Sequence, residues 1–229
     1  MHWLGSSPAT WLQMANSLQA DPWVREHYQF WFAYYPTGAP LAASAMRVRE
    51  SLRGLRDAID PPHADPALDR MVVVGHSLGG VLSRQMLLSS GPALERQLFT
   101  RPFAEVAMSP ESRATLAKLL YFEREPSIGR AIFLAAPHRG SRTADLVIGR
   151  VTSRLVRRPQ DIEALHAEVL ALNGPEVFRG RFRRRPMNSV DNLEWDSPIL
   201  STLIRLPVPT RSSPRSRPTP RRRHGPTAW

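Results

Sequence analysis

Apolar residues along the first two hundred positions fall into two alternating rhythms. One recurs every three to four residues, as on one face of a helix. The other is a short continuous apolar run, as in a strand covered on both faces. Trp11, Ala15 and Leu18 share a helical face, with Ser7 as N-cap and Pro8 at the first helical position. "YQFWFAYYP" (28–36) is aromatic, short and stopped by Pro36, which predicts a strand. Ala45, Val48, Leu52, Leu55 and Ile59 then alternate at three and four, predicting a helix.

"MVVV" (71–74) is β-branched and apolar on both faces, as a central parallel strand is, and Leu78, Leu82 and Met86 mark the helix after it. Ser109-Pro110-Glu111 opens another helix, with Ala117, Leu120 and Tyr121 inward. "AIFLAAP" (131–137) reads as a second buried strand. Residues 142–156 and 161–172 read as helices, the latter with Ile162, Leu165, Val169 and Leu172 in period, and a last short helix is expected over 197–204. Strands alternating with helices predict an α/β layer architecture with a mostly parallel sheet flanked by helices. Three strands are few for such a sheet, so it is expected to be incomplete. The aromatic set Trp23, Tyr28, Phe30, Trp31, Phe32, Tyr34 and Tyr35 is expected to be core.

Composition changes the picture at the C-terminal end. The net charge of +11 is carried almost wholly by arginine, Lys118 being the one lysine. Beyond residue 206 stand Arg211, Arg215, Arg217, Arg221, Arg222 and Arg223, with no acidic residue. Proline, serine and arginine dominate there, and such a segment cannot bury a face. The chain is therefore expected to divide into a partial folded domain over 1–206 and a disordered tail over 207–229. The tail reads as a replaced or out-of-frame C-terminus. It is expected to adhere to polyanions without specificity. The same tail with "RGRFRRRP" (179–186) leaves a basic nucleic-acid- or anion-binding module as the lesser reading, because no recognised nucleic-acid motif accompanies it.

There are no cysteines, so disulfides and thiolate metal sites are excluded. No metal-ligand spacing and no phosphate-cradling glycine loop is present, and no cofactor is expected. No stretch approaches the roughly 18–20 apolar residues of a membrane span. With no signal segment visible, a cytoplasmic location is the expectation for the chain as it stands, the true compartment being open.

The candidate chemistry lies at the end of the "MVVV" run. Gly75-His76-Ser77-Leu78-Gly79 matches G-x-S-x-G, in which a serine sits on a sharp strand-to-helix turn. Flanking glycines allow strand and helix to approach, and the hydroxyl projects from the carboxyl end of the sheet. The N–H of Leu78 then points at a developing oxyanion. His76 lies inside the turn and is read as structural. After Ser77 come His138, His166 and His224. His138 is expected to line the site, and His166 to sit within a helix. His224 has the right order behind Asp145, Asp161, Asp191 and Asp196, but nothing in "PRRRHGPTAW" would hold a base in reach of a hydroxyl. Asp191 and Asp196 are expected to cap turns or the last helix.

On "VVVGHSLGG" (72–80), "AAPHRGS" (135–141), "HWLGSSPATW" (2–11) and "YPTG" (35–38), residues 2–206 resemble the α/β-hydrolase superfamily, among its bacterial esterase- and lipase-like members. The resemblance implies an α/β-hydrolase-like fold and hydrolysis of a small-molecule acyl ester, with Ser77 as nucleophile. It implies oxyanion donors at Leu78 and, from His2-Trp3-Leu4, at Leu4, with Trp3 standing where relatives have glycine. It also implies a strand leading into His2, lying between the strands at 28–34 and 71–74. The acid loop, last strand and base loop that follow in relatives have no counterpart in the tail. Weak or absent esterase activity is therefore expected, the alternative being a truncated or frameshifted non-catalytic fragment.

Overall fold

The computed structural model describes Met1 and residues 8–36, 38–140 and 160–208. Within them a small parallel sheet is flanked and outweighed by helices. A 3₁₀ turn at Pro8–Trp11 leads into α1 (Leu12–Gln19), and α2 (Pro22–His27) follows at once. The Asp21 carboxylate caps α2 by accepting from the N–H groups of Trp23 and Val24. The long α3 (Leu41–Ile59) leads by a loop to β1 (Met71–His76) and directly into α4 (Leu78–Gln85). Then come α5 (Ala93–Leu98), α6 (Pro110–Leu120) and β2 (Ile128–Leu134). The rest is α7 (Gln160–Asn173), α8 (Ser189–Leu193) and α9 (Pro198–Arg205), with 3₁₀ turns at Pro175–Val177 and Gly180–Arg183.

β1 and β2 pair in parallel, with Val72 opposite Arg130 and His76 opposite Leu134. Parallel neighbours need a long crossover, and α4, α5 and α6 supply it. On the other side of β1 the described residues fill a single rung. The Met1 amine donates to Val74 O at 2.6 Å, and His76 N–H donates to Met1 O at 3.2 Å. Those two bonds are one step of a parallel ladder facing Gly75. Met1 thus stands beside the elbow strand on the side away from β2.

Two clusters form the core. The larger packs Phe99, Phe103, Phe178, Leu116, Leu120, Val169 and Leu203 among the helices, with Phe99 and Phe178 stacked at 5.3 Å. The smaller packs Leu78, Leu82 and Met86 of α4 against Tyr35, Leu41, Ala45 and Ile128 beside the sheet.

Several expectations are corrected. Residues 28–36 form no strand, and the aromatic set there is largely exposed. Tyr34 is 77 % exposed, and Trp23, Tyr28, Trp31 and Phe32 are also exposed; Tyr35 alone among the seven is fully buried. A strand needs a hydrogen-bonded neighbour along its length, and among the described residues no ladder forms on 28–36. The second strand runs over Ile128–Leu134, three residues earlier than its apolar run. Leu18, Leu55, Ile59, Tyr121 and Leu172 keep the helical period yet lie exposed at helix ends, beyond the reach of the core. The helix foreseen over 142–156 lies outside the described residues, as do Ser7, the cap foreseen for the first helix, and 209–229 of the tail.

Candidate active site

Ser77 sits between the last residue of β1 and the first of α4. Its backbone is at φ 52°, ψ −121°, a region L-residues with side chains rarely occupy. Such a conformation costs about 1–3 kcal/mol and persists only where the surroundings over-determine it. Here they do. Ser77 N–H donates to Leu134 O at 2.9 Å, tying the turn to the end of β2. Ser77 O accepts from Gly80 N–H at 2.9 Å, fixing the start of α4.

The glycines explain how strand and helix come so close. A Cβ on Gly75 would lie 2.3 Å from Ser83 Oγ and 2.4 Å from Gly79 O. One on Gly80 would lie 2.3 Å from the Ala136 Cβ. No side chain fits at either position. Gly80 packs against the loop that follows β2, so the head of α4 abuts the carboxyl ends of both strands, while beyond its other end Met86 O accepts from Glu125 N–H at 2.7 Å, just before β2. Ser77 itself is partly exposed, within reach of a substrate. Leu78 and Gly79 open α4, so their N–H groups have no intrahelical acceptor and face the positive end of the helix.

The loop after β2 is the second wall. Ala135 also has positive φ, 45°, and Gly140 has φ 81°. A Cβ on Gly140 would lie 2.5 Å from Trp195 Cα, so this loop is pressed against residues 194–195. The latter segment is held by Arg181, which bonds both Glu194 and Asp196. Nothing in the hydropathy pattern marks this clamp; Arg181 lies in the run read as a basic face.

His138 stands in that loop, its ring edge-on to Phe133 at 4.7 Å. Neither ring nitrogen bonds a described residue. Burial, and then the Arg84 charge, hold its pKa below the ordinary histidine value, so the ring is neutral at pH 7. A neutral imidazole is the form a general base requires, but among the described residues no carboxylate orients the ring.

The other candidates disperse. His166 is buried on α7, stacked on Phe178 at 4.7 Å and bonded to Phe182 O at 2.6 Å. Asp191 pairs with Arg185 and closes a capping box with Asn188 on α8. Asp196 is taken by Arg181, and Asp161 by Arg47 at 3.3 Å. His63 does face a carboxylate, Asp57 at 2.7 Å, but in the loop entering β1. Ser77 is at the other end of that six-residue strand, whose length alone is about 20 Å. His76 lies in the β1 ladder through its backbone. Leu4, Asp145 and His224 lie outside the described residues.

Among the described residues no group of three histidines and carboxylates could hold a metal ion, and no helix is long and apolar enough to cross a membrane. The arginines of 179–186 are largely committed. Arg181, Arg183 and Arg185 pair with carboxylates, and Arg179 donates to Phe99 O at 2.7 Å. No family model, no curated protein and no solved structure matches the chain. What the structure itself defines is a mixed α/β chain with a strained serine between a parallel strand and a helix.

Proposed function

We propose that this chain carries the nucleophile elbow of an α/β-hydrolase-like serine hydrolase of carboxylic esters, with Ser77 as nucleophile. The observation that supports the reading most is the positive φ of Ser77 on a strand–helix turn whose glycines leave no room for a side chain. In a nucleophile elbow, strain of that kind aims the serine hydroxyl outward from the carboxyl end of the strand. Ser77 Oγ would attack the ester carbonyl while its proton passes to the histidine that the resemblance implies; the carbonyl oxygen would take the negative charge, and collapse would release the alcohol, carrying that proton, and leave an acyl-serine for water to hydrolyse. The Leu78 N–H, at the head of α4, would stabilise that charge, with the Leu4 N–H as the second donor by resemblance. The substrate class is a small apolar acyl ester.

A second reading is favoured by one observation: among the described residues no carboxylate engages the ring of His138. Without an oriented base the elbow is a framework without turnover, since loss of a triad histidine costs on the order of 10⁶ in kcat. Reaction with a fluorophosphonate separates the two. Labelling of the folded chain that disappears in Ser77→Ala establishes an activated serine. Absence of labelling in protein with a cooperative melt establishes the non-catalytic fragment.

A further inference from the structure

The loop that forms the second wall of the elbow site is held from both of its ends. Residues 135–140 fold on themselves through two backbone bonds, His138 N–H donating to Ala136 O and Gly140 N–H to Pro137 O, each at 2.9 Å. The loop begins on Ala135, which carries a side chain at φ 45°, and ends on Gly140 at φ 81°. Backbone of the first kind persists only where the surroundings over-determine it. At the start of the loop those surroundings are the elbow, through the close approach of Ala136 to Gly80. At its end they are the peptide joining Glu194 to Trp195. A Cβ on Gly140 would lie 2.8 Å from both Glu194 O and Trp195 N, so the two backbones touch.

That peptide belongs to a tight turn, closed by Ser197 N–H on Glu194 O at 3.1 Å. The turn carries two carboxylates, Glu194 and Asp196, which repel each other when left together. The Arg181 guanidinium offsets the repulsion by standing between them. Its Nη1 donates to Glu194, and its Nη2 donates to Asp196 at 2.7 Å. Arg181 is itself anchored, for it lies on the 3₁₀ turn Gly180–Arg183 beside Phe182, which is buried in the helical cluster and bonded through its carbonyl to His166. Arg181 and both carboxylates are partly exposed, so these pairs act locally and add little to global stability. We infer that Arg181 is a positioning residue for the elbow site: it holds the 194–196 turn against Gly140 and so fixes the loop that carries His138. The inference rests on the reading of Ser77 as a nucleophile, for which that loop is a wall.

The test is amide hydrogen exchange on the 229-residue chain, read beside its rate of reaction with a fluorophosphonate. In Arg181→Met the His138 and Gly140 amides should exchange about tenfold faster, while amides in α4 and α7 keep their rates. Labelling of Ser77 should slow in the same variant. Arg181→Lys keeps a positive charge between the carboxylates and should return both rates toward those of the wild type. Unchanged exchange at Gly140, a rise shared equally by α4 and α7, or labelling of Arg181→Met at the wild-type rate overturns the inference. A wild-type chain that takes no label overturns the ester-hydrolase reading instead, and the exchange rates then decide by themselves whether Arg181 holds the loop.

Discussion

The helical cluster and the sheet are built from equally apolar residues and end up very differently covered. Phe99, Phe103 and Phe178 are all buried, packed on one another and on α6 and α7. Ile132, Phe133 and Leu134 of β2 are 47 %, 37 % and 38 % exposed, and Val72 of β1 is 37 % exposed. A helix satisfies its own backbone and needs partners only for one face. A strand needs a neighbour on each edge and a layer on each face. Among the described residues two strands and one Met1 rung are present, and apolar content alone does not bury such a sheet. The elbow is nonetheless well formed, because it depends on glycine contacts and local hydrogen bonds and not on the width of the sheet.

The widest separation between the two regions should appear on truncating one phenylalanine from each. Phe99→Ala is expected to cost about 3–5 kcal/mol, while Phe133→Ala should cost about 1 kcal/mol or less. Urea denaturation of both variants measures the gap; equal losses would mean that the sheet is covered as fully as the helices. Next in size is the glycine contact. Gly75→Ala should destabilise by about 1–3 kcal/mol, because its Cβ meets the backbone of Gly79. A normal melting temperature would show that strand and helix separate freely.

Ser77→Gly should act in the opposite direction. Removing the Cβ at φ 52° relieves strain and is expected to stabilise by about 1 kcal/mol while eliminating any fluorophosphonate labelling. Loss of stability would place the serine in an unstrained turn. The smallest effect concerns pH. The pKa of His138 lies below 6.5 in the folded chain. As pH falls below that value the unfolded chain binds a proton that the folded one resists, so stability declines until the folded pKa is passed. His138→Gln should flatten this part of the melting-temperature profile between pH 7 and 5. An unchanged profile would show that the ring titrates freely.

Much of this was legible beforehand at particular positions. Leu78, Leu82 and Met86 read as one face and are buried as one face. Ser109 and Pro110 open α6, and α7 covers the periodic stretch that marks it. The 28–36 segment was misread because β-propensity records what a residue suits, not whether a neighbour is there. Its aromatics fit a strand, and among the described residues no ladder takes them up. Helix α2 was missed because its six residues carry no period; Asp21 before Pro22 was the signal. The Arg181 clamp on Glu194 and Asp196 joins positions thirteen or more apart, and no local pattern announces such a pair.

The sequence by itself determined the elements whose causes are local: the amphipathic helices, their caps, the β-branched strand and the Gly-x-Ser-x-Gly turn with its strain. Only the tertiary structure decided which apolar faces are covered and which arginines meet carboxylates. It alone placed Met1 in the β1 ladder and set the Gly140 loop on residues 194–195. Those outcomes rest on contacts between residues far apart in the chain, where geometry, and not residue type, selects the partner.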